Sequence, residues 1–197
     1  MMYRNYVKRV FDFIMAAFAF VILSPFFLVL CLMIKLDSKG PVFFRQRRIG
    51  KGKVEFMILK FRSMKIDAPK DQPTHLLKDP DAYITRFGKF LRKTSLDELP
   101  QLINIIFGQM SIVGPRPALY NQYDLIAMRD TYNANDVRPG LTGWAQVNGR
   151  DELPIDVKSK FDGEYIEKMS FLFDLKCILR TFRSVTTAEG VVEGNQG

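Results

Sequence analysis

A chain of 197 residues that is 47% hydrophobic is long enough for one domain with its own core and too apolar for a disordered protein. Its net charge of +8 is concentrated: residues 35–65 hold ten basic and two acidic side chains beside an apolar segment, which points to anionic lipid headgroups or a phosphate-rich ligand. No helix-turn-helix, zinc-finger or RNP pattern accompanies that charge, which argues against nucleic acid, and Cys31 and Cys177 show neither metal-like spacing nor a disulfide framework, in keeping with a reducing cytosolic side.

Arg4, Lys8 and Arg9 precede residues 13–34, a run of 22 residues without a charge and with Ser24 as its only hydroxyl. A straight helix of that length measures about 33 Å, enough for a hydrocarbon core of about 30 Å. Pro25 lies mid-run and cannot donate to the Val21 carbonyl, so a kink is expected at Ser24 and Pro25. Basic residues flank both ends. That pattern fits a hairpin that enters and leaves on the cytoplasmic side, with a simple span as the rival. A cleaved signal peptide is excluded by length and by the lack of an A-x-A-like end.

Residues 41–64 read as two short strands, VFFRQRRI and VEFMILKFRS, joined by Gly50-Lys51-Gly52 in a hairpin-like turn. Lys60 and Arg62 close the second strand, where cations can meet phosphate. Residues 67–81 are polar and proline-punctuated, a loop over the site that carries the single histidine, His75, as a surface residue. Acid–base work by histidine is thereby excluded. In residues 81–93, Ile84, Phe87 and Leu91 recur at helical spacing among Arg86, Lys89, Arg92 and Lys93, a pattern shared by interfacial amphipathic helices and core-packed ones.

The stretch TSLDELPQLINIIFGQMSIVGPRP, residues 94–117, holds adjacent carboxylates. Ser95 and Glu98 fit a capping box, but a helix starting there would set Pro100 against the Leu96 carbonyl, so a start near Asp97 is expected. Asp97 and Glu98 would then share a helix N-terminus, whose field attracts anions and should lower the basicity of Asp97; the plainer alternative is that Asp97 is only an N-cap. Neighbouring carboxylates cannot flank a glycosidic bond at its required spacing of roughly 5 to 9 Å. Beside a divalent cation they suit phosphoryl transfer, either both as ligands or one as an aspartyl nucleophile. Arg116, clamped between Pro115 and Pro117, presents a planar fork suited to phosphate.

Residues 137–150, VRPGLTGWAQVNGR, combine three glycines with Trp144, Gln146 and Asn148, which suits a nucleotide-holding loop or a packed loop anchored by Trp144. Residues 161–187 read as one further surface-lying helix with Asp162 at its start, and the tail after residue 189 as mobile.

Taken together and in order, SPFF, KFRSM, the TSLDELPQ and GPRP stretch and VRPGLTGWAQVNGR resemble the bacterial monotopic phosphoglycosyl transferases, over nearly the whole chain. That resemblance implies an α+β membrane protein: residues 1–36 as a re-entrant helix-break-helix hairpin broken at Ser24 and Pro25, and residues 37–197 as a catalytic domain on the cytoplasmic face of the inner membrane. A short β-hairpin and several amphipathic interfacial helices would surround its site. It implies transfer of a sugar 1-phosphate from a UDP-sugar to polyprenol phosphate, with Mg²⁺, through a covalent intermediate on Asp97. Glu98 would bind metal with Asp97 or activate the acceptor. Lys60, Arg62, Arg92 and Arg116 would hold phosphate, and Arg138, Trp144, Gln146, Asn148, Arg150 and Asp162 would complete the nucleotide and phosphate site. Membrane lipids and downstream glycosyltransferases would be its partners, with the sugar and the oligomeric state left open. A rival class is a non-catalytic membrane-surface scaffold that uses the basic cluster for binding alone.

Overall fold

The structure, a computed structural model, describes residues 3–69, 77, 79–149 and 153–187. His75 and most of its loop, Arg150 and the tail beyond residue 187 lie outside the described residues. Mixed helix and sheet are observed, and among the described residues one helix is long and apolar enough to cross a membrane: α1, Lys8–Asp37, 30 residues long.

Helical backbone continues through Ser24 and Pro25, so the two arms expected from the sequence form one uninterrupted helix. The reason is local. Pro25 has no N–H for the Val21 carbonyl, and the Ser24 hydroxyl donates to that same carbonyl at 2.7 Å in its place. Along α1 a stripe of Asp12, Ala16, Phe27, Leu30 and Ile34 is buried, while the other faces leave large apolar side chains such as Phe18, Val21 and Leu28 exposed. Both ends of the helix are tied to the rest of the protein. Near the N-terminal end, Lys8 pairs with buried Asp174 at 2.6 Å and Asp12 accepts the Ser111 hydroxyl. At the C-terminal end, Arg62 donates to the carbonyls of Ile34, Ser38 and Lys39.

The expected hairpin is present. β1, Phe43–Ile49, pairs antiparallel with β2, Glu55–Phe61, in a register that sets Phe43 against Phe61 and Ile49 against Glu55. The turn Lys51–Lys53 uses Gly52 at φ 64°, a left-handed conformation that glycine adopts without a Cβ penalty. Phe56, Ile58 and Phe61 of β2 pack against Phe27, Leu30 and Ile34 of α1, together with Leu91, Leu102 and Ile105. These last come from α2, Arg86–Lys93, whose N-cap Thr85 accepts from the Gly88 amide, and from α3, Gln101–Ile106.

A second pair of strands was not legible in the sequence: β3, Ser111–Val113, lies parallel to β4, Gly140–Thr142. Between them runs α4, Tyr123–Asp130. The single late helix expected over residues 161–187 is two helices, α5, Ile155–Lys168, and α6, Phe171–Thr187. Met169 leaves helical geometry at ψ 111°, and the Ser170 hydroxyl accepts the Phe173 amide to start the next helix. Asp162 therefore stands inside α5, not at a helix start.

Candidate active site

The carboxylate pair sits one turn earlier than expected. Ser95 adopts φ 57°, reversing the chain after α2, and Leu96–Glu98 form a 3-10 turn before Pro100 caps α3. Ser95 makes no side-chain capping bond, so the S-x-x-E box is absent. Starting the α-helix after Pro100 removes the clash that the proline would cause inside it.

This turn aims Asp97 and Glu98 at the wall of a cavity of 1080 Å³. Lys60 reaches across from the end of β2, with Nζ 2.7 Å from Glu98 Oε1 and 3.9 Å from Asp97 Oδ2. Arg116 adds a contact of 3.3 Å to the same Glu98 oxygen. Burial opposes the charge on Glu98, but Lys60 and Arg116 outweigh it and hold its carboxyl down at about 2. For Asp97, burial dominates and its acidic neighbour adds to it. With Lys60, Arg92 and Arg116 only partly opposing, its carboxyl lies above the ordinary aspartate value. The basicity of Asp97 is raised, the reverse of what a helix-terminus field would do, because desolvation in the wall outweighs the cations. Two adjacent carboxylates are thus driven apart in character, Glu98 firmly anionic and Asp97 the more basic.

Arg116 is presented from a rigid backbone. The carbonyls of Pro115, Arg116, Pro117 and Ala118 each accept a hydrogen bond, from Gly140 N, Arg129, Arg48 and Ile49 N respectively, all at 2.8 or 2.9 Å. Gly140 and Gly143 touch the backbone of Gly114 so closely that a Cβ on either would collide with it. These two glycines therefore serve chain-to-chain packing beneath Arg116, not the approach of a ligand.

Nine lysine and arginine side chains line the cavity among the described residues, against the two carboxylates. Lys60, Arg92 and Arg116 face the carboxylate turn, and Gln146 lines the cavity with an unpartnered buried Oε1. Arg62 also borders it, but its guanidinium is turned to the carbonyls that end α1. Three residues expected at the site lie elsewhere. Arg138 donates to the Gly108 carbonyl at 2.8 Å beyond α3. Trp144 packs on Phe173 and donates to Glu164. Asn148 bonds the Trp144 carbonyl and accepts from Arg180 on α6. Asp162 is buried behind the site in an ion pair with Arg129, at 2.6 Å, and Arg129 in turn holds the Arg116 carbonyl.

Arg129 is a site residue that sequence reasoning missed. It lies on a short helix without a motif, and no local pattern marks it. Part of the cavity wall is apolar: Ala19 and Leu23 of α1, Leu99 and Leu102, and Ile178 and Phe182 of α6 line it too. The cavity therefore joins a cationic pocket to the membrane-type helix. Two carboxylates in such a pocket can hold a hard divalent cation only with oxygens from a ligand, for among the described residues no cluster of three acidic, histidine or cysteine side chains exists.

Residues 3–188 match the family described as Bacterial sugar transferase. Over 181 residues, 88% of this chain, the sequence is 42% identical to the UDP-glucose:undecaprenyl-phosphate glucose-1-phosphate transferase of Xanthomonas campestris pv. campestris, and spans 37% of that protein's length. It is 38% identical to the UDP-N-acetylgalactosamine-undecaprenyl-phosphate N-acetylgalactosaminephosphotransferase of Aeromonas hydrophila, across 94% of this chain and 45% of that one. With the uncharacterized sugar transferase EpsL of Bacillus subtilis (strain 168) it shares 38% identity over 96% of this chain and 92% of its relative.

Proposed function

We propose that this chain, which belongs to the bacterial sugar transferase family, moves a sugar 1-phosphate from a UDP-sugar to undecaprenyl phosphate, releasing UMP. The observation that carries this reading is the pairing of Asp97 and Glu98 with Lys60 and Arg116 in a cationic cavity that Ala19 and Leu23 of the apolar helix α1 also line. A nucleotide diphosphate suits the cations and a lipid acceptor suits the apolar wall. The names of relatives that use UDP-glucose and UDP-N-acetylgalactosamine support the substrate class.

In the mechanism we propose, an Asp97 carboxylate oxygen attacks the β-phosphorus of the UDP-sugar. The bond from that phosphorus to the bridging oxygen breaks, UMP leaves with the electron pair, and the phosphosugar stays on Asp97 as an acyl phosphate. An oxygen of the lipid phosphate then attacks the same phosphorus and returns Asp97 as carboxylate. The raised basicity of Asp97 favours it as the nucleophile. Glu98, held anionic, keeps Lys60 and Arg116 oriented over the reacting phosphates, where they offset the charge that develops on the leaving UMP. Arg92 acts on the same pocket, and Gln146 offers its unpartnered Oε1 to the sugar or nucleotide.

Mg²⁺ takes one or two carboxylates and completes its shell with water and substrate phosphates, and Asp97 with Glu98 fits that donor set. When bound, it would neutralise diphosphate charge. Membrane placement follows the same logic. With both ends of α1 tied to one body by Lys8, Asp12 and Arg62, we read the helix as re-entrant, bending at Pro25 without losing helical backbone so that both ends lie on the cytoplasmic face. The amphipathic α6, with Leu172, Leu179 and Phe182 exposed beside Arg180 and Arg183, suits the interface of that membrane.

A panel of UDP-sugars assayed for UMP release, with and without undecaprenyl phosphate, tests the function. Lipid-dependent turnover with one sugar is expected. Binding to anionic membranes with no UMP release from any donor would return the chain to the scaffold reading.

A further inference from the structure

The carboxylate turn leads into α3 and Lys60 lies near the end of β2, and one buried polar side chain joins these two elements. Asn104 of α3 is 2% exposed. Its Oδ1 accepts the Leu59 N–H at 2.9 Å, and its Nδ2 donates to the Met57 carbonyl at 2.9 Å. An adjoining strand would satisfy these same two groups on the free edge of β2, so the side-chain amide stands in for the N–H and C=O of one residue of that missing strand. The second Nδ2 proton goes to Gln109 Oε1 at 2.7 Å, and the Asn104 carbonyl accepts the Gln109 amide. Both polar atoms of the side chain are thus occupied.

We propose that Asn104 is a positioning residue that fixes β2 against α3 and thereby sets Lys60 over Glu98 and Asp97. Lys60 directly follows Leu59, and Glu98 lies on the turn that feeds α3, so the amide bonds constrain both partners of the 2.7 Å pair from one point. Register is the quantity at stake. Successive strand side chains point to opposite faces, so a slip of one residue would turn Lys60 away from the carboxylates. Burial of Phe56 and Ile58 opposes such a slip, and two directional hydrogen bonds to named backbone atoms add to it next to Lys60. The sequence carries a trace of this role: in QLINIIFG, asparagine is the one polar residue in the apolar run that follows Gln101.

The inference rests on reading Asp97, Glu98 and Lys60 as the reaction centre, and its test separates the two ideas. Asn104→Ala removes both bonds, and Asn104→Asp keeps the size and the acceptor for Leu59 but loses the donor to Met57. Each is made in the full chain, alone and combined with Lys60→Met. Three readouts are taken: UMP-release kinetics, thermal unfolding, and amide exchange of the peptide containing Leu59. Expected are a loss in kcat above about tenfold with KM changed less than about threefold, in protein that still unfolds cooperatively, and faster exchange at Leu59. In the Lys60→Met background the Asn104 substitutions should cost little more, since the residue they position is gone. Losses that multiply independently of Lys60→Met, or that match the fraction unfolded, would overturn the proposal. So would unchanged exchange at Leu59. Absence of UMP release by the wild type would fail the functional reading alone, because the exchange measurement decides the brace without turnover.

Discussion

Lys60 approaches Glu98 to 2.7 Å but stays 3.9 Å from Asp97, so one cation is shared unequally between adjacent carboxylates. That inequality separates their roles. In the mechanism proposed above, Glu98 is the fixed anion of the site and Asp97 keeps an oxygen for phosphorus.

The covalent step gives the first prediction. Given UDP-sugar without lipid, the wild type should release UMP to one equivalent and gain the mass of a phosphosugar, and Asp97→Asn should do neither. Burial raises the Asp97 carboxyl, so the anionic nucleophile is lost as pH falls through a value above the ordinary 3.8. The rate of the burst should therefore decline on the acid side above that value. Adduct formation by Asp97→Asn, or a UMP signal that appears only with both substrates present, would replace the two-step scheme with direct transfer.

Arg116 is held on a backbone whose carbonyls are all bonded, so its fork is aimed before substrate arrives. Arg116→Lys keeps the charge but loses the two-pronged geometry, and kcat/KM should fall by more than about tenfold, or ~1.4 kcal/mol. Steady-state kinetics with a saturating lipid acceptor measure it, and normal values would place Arg116 outside the reaction.

Metal removal is the third. Two carboxylates and a diphosphate make a site for Mg²⁺, so UMP release should stop in EDTA and return on adding Mg²⁺. Undiminished turnover in EDTA would assign the neutralising role to Lys60, Arg92 and Arg116 alone.

Behind the site, the pair Arg129–Asp162 is almost wholly buried. Asp162→Asn strands the arginine charge in a dry setting and should destabilise the fold by about 3 to 5 kcal/mol, whereas Lys168→Ala, which breaks the exposed pair with Glu164, should cost about 1 kcal/mol or less. Thermal unfolding of the two variants in one detergent compares them directly.

Topology supplies the last. Cysteines placed at the N-terminus and after α1 should both be protected from impermeant reagents added outside the cell and labelled in inverted vesicles. Replacing Ser24 and Pro25 with leucines removes the proline and its hydroxyl substitute, and should send the N-terminus across. Outside labelling of the native N-terminus would contradict the re-entrant reading.

What could be read from sequence was local. The hairpin of β1 and β2, the acidic pair and the proline-framed Arg116 each depend on residues within a few positions of one another. Arg62 was expected to meet phosphate because it ends a strand among cations; its direction is decided instead by the carbonyls at the end of α1, 24 residues away. Arg138 turned to the Gly108 carbonyl, 30 residues away, for the same reason. Arg129 and Asn104 act through partners 33 and 45 residues distant, and no periodicity encodes such a meeting. The break between α5 and α6 escaped notice because Met169 and Ser170 do not disturb the apolar spacing.

The close approach of Gly140 and Gly143 to Gly114 bears on how this chain could be re-engineered. With no room for even one methyl group between them, the segment bearing Arg116 and the loop bearing Gln146 behave as two halves of a single casting. A chimera that exchanges one half with a relative of different sugar preference would inherit a mismatched seam. Segments 111–118 and 138–148 should therefore be transplanted as a unit, and a swap of either alone should lose folded yield before it changes which donor is accepted.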